Sequence, residues 1–179
     1  MRPDLSRVPE FYHNYINQVP EDDIMEAFKK ETPSLIHFLE SIPPGKYDYR
    51  YAHDKWTIKE VLQHIIDAER VFAYRALCFA RKDLTPLPSF DENGYAANAK
   101  TENRKWKDLI NEFLVVRCST EYLFDSFDDE QLETAGTASG KPNYVLAIGF
   151  IIAGHANHHI KVTKERYLTP ATAPQIRKQ

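Results

Sequence analysis

Apolar residues recur at helical spacing in four separate stretches of the chain. In residues 21–42, Ile24, Ala27, Phe28, Leu35, Phe38, Leu39 and Ile42 follow the rhythm that lines one face of a helix. Pro33 interrupts this stretch. It either kinks the helix or, with Thr32 as N-cap, starts a second segment. The second stretch, 57–82, opens with "TIKE", a capping box with Thr57 as N-cap and Glu60 three residues on. The third, 101–127, places Trp106, Leu109, Ile110, Phe113, Leu114, Leu123, Phe124 and Phe127 on an apolar side. The fourth starts with Asn143 as N-cap, carries the run "VLAIGFIIAG" and ends near Tyr167.

The segments between these stretches lack such a period. Residues 1–20 hold three prolines and several aromatics and are expected to form an N-terminal arm. "KYDYRYAHDKW" (46–56) reads as an extended connection, 83–100 as a long irregular link with two prolines and a glycine, and 128–142 as a loop. Residues 169–179 form a polar, proline-containing tail, expected to be loose. No convincing strand and no internal repeat is visible. The pattern predicts an all-α domain over 21–168, a four-helix bundle.

The fourth helix poses the chemical question. Its apolar run breaks into "GHANHH", three of the chain's seven histidines within five positions. With His155 as origin and about 100° per residue, Ile148, Ile151, Ile152 and Val162 all fall within about 60° of it. His155 therefore faces the core. His159 lies roughly 40° to one side and His158 about 60° to the other. Spacing alone allows either pair, and His159, nearer the middle of the apolar face, is favoured. Two imidazoles one turn apart can chelate one metal, as in the H-E-x-x-H helix of zinc proteases, but position 156 is Ala, so that motif and its general base are absent.

A third ligand must come from another helix. His64 in "VLQHIIDAER" is the one histidine of the second stretch and shares a stripe with Val61, Ala68, Val71 and Arg75. His64, His155 and His159 would make a three-histidine site with positions left open, whereas a closed structural site more often uses four ligands. Hydrogen-bonded core histidines are the plainer alternative. Nitrogen donors suit Zn, Ni, Fe or Co ahead of Ca or Mg. The expected cofactor is a divalent transition metal, with Mn as the remaining candidate. Asp67, three residues after His64 and about 60° round the helix, is the candidate catalytic carboxylate, partnering a ligand histidine. Its alternative is an acid paired with a nearby base. Arg75, three turns from His64, reads as a salt-bridge partner, and Asp91 and Tyr95 in the long link as residues over the pocket mouth.

The histidines also constrain topology. His64 lies near the start of its helix, and His155 and His159 lie in the second half of theirs, so the second and fourth helices must run antiparallel. A simple up-down-up-down bundle makes them parallel. One connection must then be a crossover spanning a helix of roughly 39 Å. Residues 83–100, able to reach about 59 Å when extended, are long enough. The expectation is an up-down-down-up bundle with a crossover between helices two and three.

Composition narrows the class. A net charge of −3 argues against a general nucleic-acid binder. No segment is long and apolar enough for a membrane span, and no secretory signal is evident. Cys78 and Cys118 are too few for a disulfide framework and are expected to be buried free thiols, which fits a cytoplasmic protein.

Two blocks carry a family resemblance. "YRYAHDKWTIKEVLQHIIDAERVFAYRALCFARKDLTPLPSFDENGY" and "IIAGHANHHIKVTKERY" resemble the DinB-like superfamily, damage-inducible-type proteins related to the bacillithiol and mycothiol S-transferases. The resemblance spans roughly residues 15–168 and is most specific in "KWTIKEVLQHI" and "GHANHHI". It implies the up-down-down-up bundle and a divalent metal on His64, His155 and His159, setting His158 aside. It further implies a small-molecule substrate, with a low-molecular-weight thiol as one candidate, and a homodimer. The implied function is a metal-dependent thiol S-transferase. A metal-dependent hydrolase and a non-enzymatic metal-binding stress protein are the alternatives. The chain departs from the family pattern at His53-Asp54, where a Pro-Gly turn is expected before "KW".

Overall fold

The computed structural model describes residues 1–169, so all of the predicted tail but Thr169 lies outside the described residues. Its helices are α1 (His13–Ile16), α2 (Ile24–Ser41), α3 (Ile58–Ala80), α4 (Glu92–Asn98), α5 (Trp106–Asp125), α6 (Asp129–Glu133) and α7 (Val145–Val162). α2, α3, α5 and α7 form the bundle. Two strands, β1 (Ala135–Ala138) and β2 (Lys141–Tyr144), make a small antiparallel hairpin.

Local signals explain the helix starts. Asp23 caps α2 by accepting from the Glu26 amide, and Thr57 and Glu60 complete the capping box of α3. Pro33 does not break α2, because the buried face Ile24, Ala27, Phe28, Leu35 and Leu39 continues on both sides of it. α5 starts later than the periodicity suggests, after a 3₁₀ turn at Thr101–Asn103. α7 starts at Val145 rather than after Asn143, whose Oδ1 accepts from the Tyr144 amide.

Two apolar clusters fix the topology. One gathers Leu35, Leu39 and Ile42 from the end of α2, Ile58 to Ile66 from the start of α3, Trp106 to Phe113 from the start of α5, and Ala156 and Ile160 from the end of α7. The other joins Ile24 to Phe28, Phe72 to Ala80, Phe124 and Val145 to Ala153, the opposite halves of the same helices. α2 and α7 therefore run one way and α3 and α5 the other. This is the up-down-down-up bundle, with the crossover between α3 and α5.

That crossover is more ordered than its composition suggests. Leu87 pairs alongside β1, with its amide donating to the Thr137 carbonyl at 2.9 Å. α4 follows, with Asp91 as N-cap. At the far end Arg104 Nη1 donates to Gln63 Oε1 at 2.9 Å, docking the link beside the start of α3. The predicted loop 128–142 instead holds α6 and the hairpin. Ser139 and Gly140, at φ 54° and 70°, supply the two positive-φ positions of a tight hairpin turn.

The first twenty residues fold against α7. Val8, Ile16 and Val19 are buried in its cluster. At Gly154 a Cβ would lie 1.9 Å from the Tyr15 carbonyl oxygen, so only glycine lets α1 sit this close. α7 is buried on every side from Val145 to Ala156 and ends in a π-helical turn, Thr163–Leu168. Among the described residues no helix is long and apolar enough to cross a membrane. Cys78 is buried, but Cys118 is exposed, contrary to expectation. It lies off the buried stripe of α5, as does the half-exposed Leu114.

Candidate metal centre

α3 brings His64 to the bundle interior, and the antiparallel α7 brings His155 and His159 to meet it. One ring nitrogen of each lies within 4.8 Å of the other two. His64 Nε2 is 3.0 Å and His159 Nε2 3.1 Å from His155 Nε2. His64 and His155 are buried and His159 is half-buried. Trp56 packs on His64 with ring centres 4.7 Å apart, and Tyr15 meets His155 edge-on at 5.4 Å. His158 stands outside the cluster, its ring against Tyr15 at 5.3 Å.

Burial sets the protonation. It pushes His64 down to about 4. It pushes His159 to about 3, with the neighbouring His64 and His158 adding to the shift. His155 is held well below the usual imidazole range, first by burial and then by the three histidines around it. At neutral pH the cluster is three neutral imidazoles. His155 Nε2 carries at most one proton, so it can donate to one neighbour and leaves the other nitrogen facing a lone pair or an N–H. A divalent cation would satisfy all three nitrogens at once, so the donor set fits the metal that the sequence implies.

Two cavities reach the cluster. One of about 140 Å³ is lined by His64 and His155 together with Tyr12, Phe72, Arg75 and Glu92. The other, about 240 Å³, is lined by His159 with Trp56, Glu92 and Tyr167. Glu92 borders both and escaped the sequence reading. Its one sequence signal is its place beside Asp91 in the crossover.

Asp67 is not brought to the histidines. Its Oδ1 accepts from Gln63 Nε2 at 2.9 Å and lies 3.7 Å from Arg70, while burial pushes its carboxyl up. It faces a separate surface groove that also holds Asp91, Tyr95 and Arg104. No hydrogen bond joins Asp67 to a histidine among the described residues. Arg75 likewise lacks the expected salt bridge. Among the described residues no carboxylate lies within ion-pair distance of it, and its Nη2 donates to the Pro88 carbonyl at 2.8 Å and to Ser139 Oγ at 3.1 Å.

The model of the DinB superfamily matches residues 27–162. The chain belongs to the DinB superfamily. No protein of curated function matches it. Among solved structures it is similar to YfiT from Bacillus subtilis, at TM-score 0.70 and 14% identity over 92% of each chain. YfiT is described as a probable metal-dependent hydrolase with an unusual four-helix bundle topology. At this identity the likeness bears on the fold, and it agrees with the chain path of this DinB member.

Proposed function

We propose that this DinB protein is a metal-dependent enzyme that acts on a small molecule, with His64, His155 and His159 as the ligands of one divalent transition metal. The observation that carries this reading is the convergence of three neutral Nε2 atoms, from two buried histidines and one half-buried one, beside cavities lined by further side chains. A metal bound there supplies Lewis acidity and lowers the pKa of a water or thiol at an open position. The chain's own residues do the rest. Trp56 and Tyr15 fix the imidazole rings and keep water off their flanks. Glu92 stands at both cavities, where a carboxylate can accept a proton from an incoming nucleophile. Asp67 acts from the neighbouring groove, and Asp67→Asn is expected to leave metal content unchanged.

The nucleophile assigned first is a low-molecular-weight thiol, as in an S-transferase. The second reading, a hydrolase acting through water, draws support from the fold shared with YfiT. Metal analysis of the purified chain tests the common step: about one transition metal per chain is expected, and near none in His64→Ala or His155→Ala. Absence of bound metal together with no uptake on titration rejects the proposal. Thiol-transfer and ester or amide assays on metal-loaded protein then separate the two readings, since turnover without added thiol rejects the transferase. We also read the protein as a cytoplasmic homodimer, and a light-scattering mass near 20.8 kDa, that of one chain, rejects the dimer.

A further inference from the structure

Arg75 is 4% exposed, yet it has no carboxylate partner among the described residues. A buried cation without a counter-charge is costly, and folded proteins rarely keep one for stability. This one is held in place. The Pro88 carbonyl in the crossover and Ser139 Oγ at the hairpin turn both accept from its Nη2, and the Tyr12 hydroxyl stands beside the guanidinium, so all its near partners are neutral. Ser139 is itself a non-glycine residue at positive φ, so the turn that presents its hydroxyl is tightly specified.

The guanidinium shares the smaller cavity with His64 and His155. Arg75 follows His64 by eleven residues on α3, about 16 Å along the axis, and side chains on a helix lean back toward its N-terminus. Arg75 therefore reaches back toward His64, and both groups line one space. Phe72 forms the wall between them, its ring centre 6.2 Å from that of His155 and 5.6 Å from the guanidinium carbon of Arg75. Tyr12 packs edge-on against Phe72 at 6.0 Å from the other side. The space thus runs from nitrogen ligands, past aromatic rings, to a fixed cation.

We propose that Arg75 is the anion-recognition residue of this site, and that the substrate carries a carboxylate on the side away from the histidines with an apolar segment between. The inference rests on the reading of this cavity as the substrate site. A carboxylate suits the site better than a phosphate. Arg75 offers one positive charge, which one carboxylate neutralises. No lysine or second arginine lines the cavity among the described residues, and Glu92 there opposes a second negative charge.

Calorimetric titration of the full chain tests the assignment. The probes are 3-phenylpropionate, its isosteric amide 3-phenylpropionamide, and phenyl phosphate, each added to protein as purified and after metal chelation. The expected result is carboxylate binding about tenfold or more tighter than amide in both states, the size of a charge-assisted hydrogen bond to a desolvated partner. Arg75→Gln, with its fold checked by circular dichroism, is expected to lose that preference. Arg75→Lys keeps the charge but not the planar guanidinium, retains part of it, and serves if the glutamine variant does not fold. Equal binding of carboxylate and amide by the wild type overturns the proposal, as does an undiminished preference in either variant. A preference that vanishes on chelation also overturns it, since the carboxylate then sits on the metal. Tighter binding of phenyl phosphate overturns the choice of carboxylate. A chain that binds no metal but keeps an Arg75-dependent preference rejects the proposed function and sustains this inference. Bound metal without that preference does the reverse.

Discussion

Arg117 and Arg75 are both buried arginines in contact with aromatic rings, and they differ in what faces their charge. Arg117, on α5, has no exposed surface. Its Nε and Nη2 donate to the two carboxylate oxygens of Glu69 on α3, each at 2.9 Å, with Phe28 and Phe113 beside the guanidinium. Arg75, further along α3, meets a carbonyl, a hydroxyl and a cavity. The first arrangement is complete within the chain and ties α5 to α3. The second leaves its charge without a counter-charge beside space that a ligand can fill. Burial alone therefore does not separate a structural charge from a functional one; the identity of the partner does.

The largest effect expected from breaking this contrast is at the paired site. Arg117→Met leaves Glu69 as an uncompensated buried charge and should cost about 3–5 kcal/mol in urea unfolding. Adding Glu69→Leu should recover most of that loss, because the apolar pair has no charge to desolvate. Next is the wall of the unpaired site. Gly154→Ala forces a methyl group into the Tyr15 backbone and should destabilise by about 1–3 kcal/mol, with weakened burial of α1 visible as faster amide exchange at residues 13–16. Arg75→Met should be milder, within about 2 kcal/mol of wild type by the same unfolding assay. It gives up two hydrogen bonds to neutral acceptors but also removes an unpaired cation. A loss as large as that of Arg117→Met would erase the distinction drawn between the two arginines.

A separate contrast is the pH dependence of metal-free protein. His64 and His159 have folded pKa values near 4 and 3, below the ordinary 6.5, so the unfolded chain binds more protons in that interval. Their contribution is present above pH 6.5 and is lost as pH falls toward those values. Glu31, beside Arg117, works in the opposite direction. Burial raises it to about 7 despite the nearby guanidinium and the hydrogen bond from Asn157. Its contribution is full below about 4.5 and is lost as pH rises through about 7. Thermal melts of chelated protein should therefore show melting temperature falling from pH 6.5 to 4. Glu31→Gln removes the opposing slope, so its fall should be steeper; an unchanged profile would contradict this assignment.

Much of this was legible from local pattern. The capping box at Thr57 marks the start of α3 to within one residue, and helical angles put His155 and His159 on one face. The positions of the three histidines called for a crossover, and the length of 83–100 allowed one. What escaped depends on how segments lie against each other. The core stripe of α5 includes Arg117 and Thr120, polar residues that an apolar count passes over, so Leu114 and Cys118 were placed inward when they face out. The partners of Arg75 come from Pro88 and Ser139, which are close to it only after the crossover and the hairpin have folded. Glu92 approaches the histidines for the same reason, and Asp67, only three residues from His64, turns instead to Gln63.

The ninety residues between His64 and His155 have a consequence for biogenesis. During synthesis α3 leaves the ribosome long before α7 exists, so a nascent chain offers one imidazole where the finished protein offers three. Under the proposed metal role, loading belongs to the completed chain.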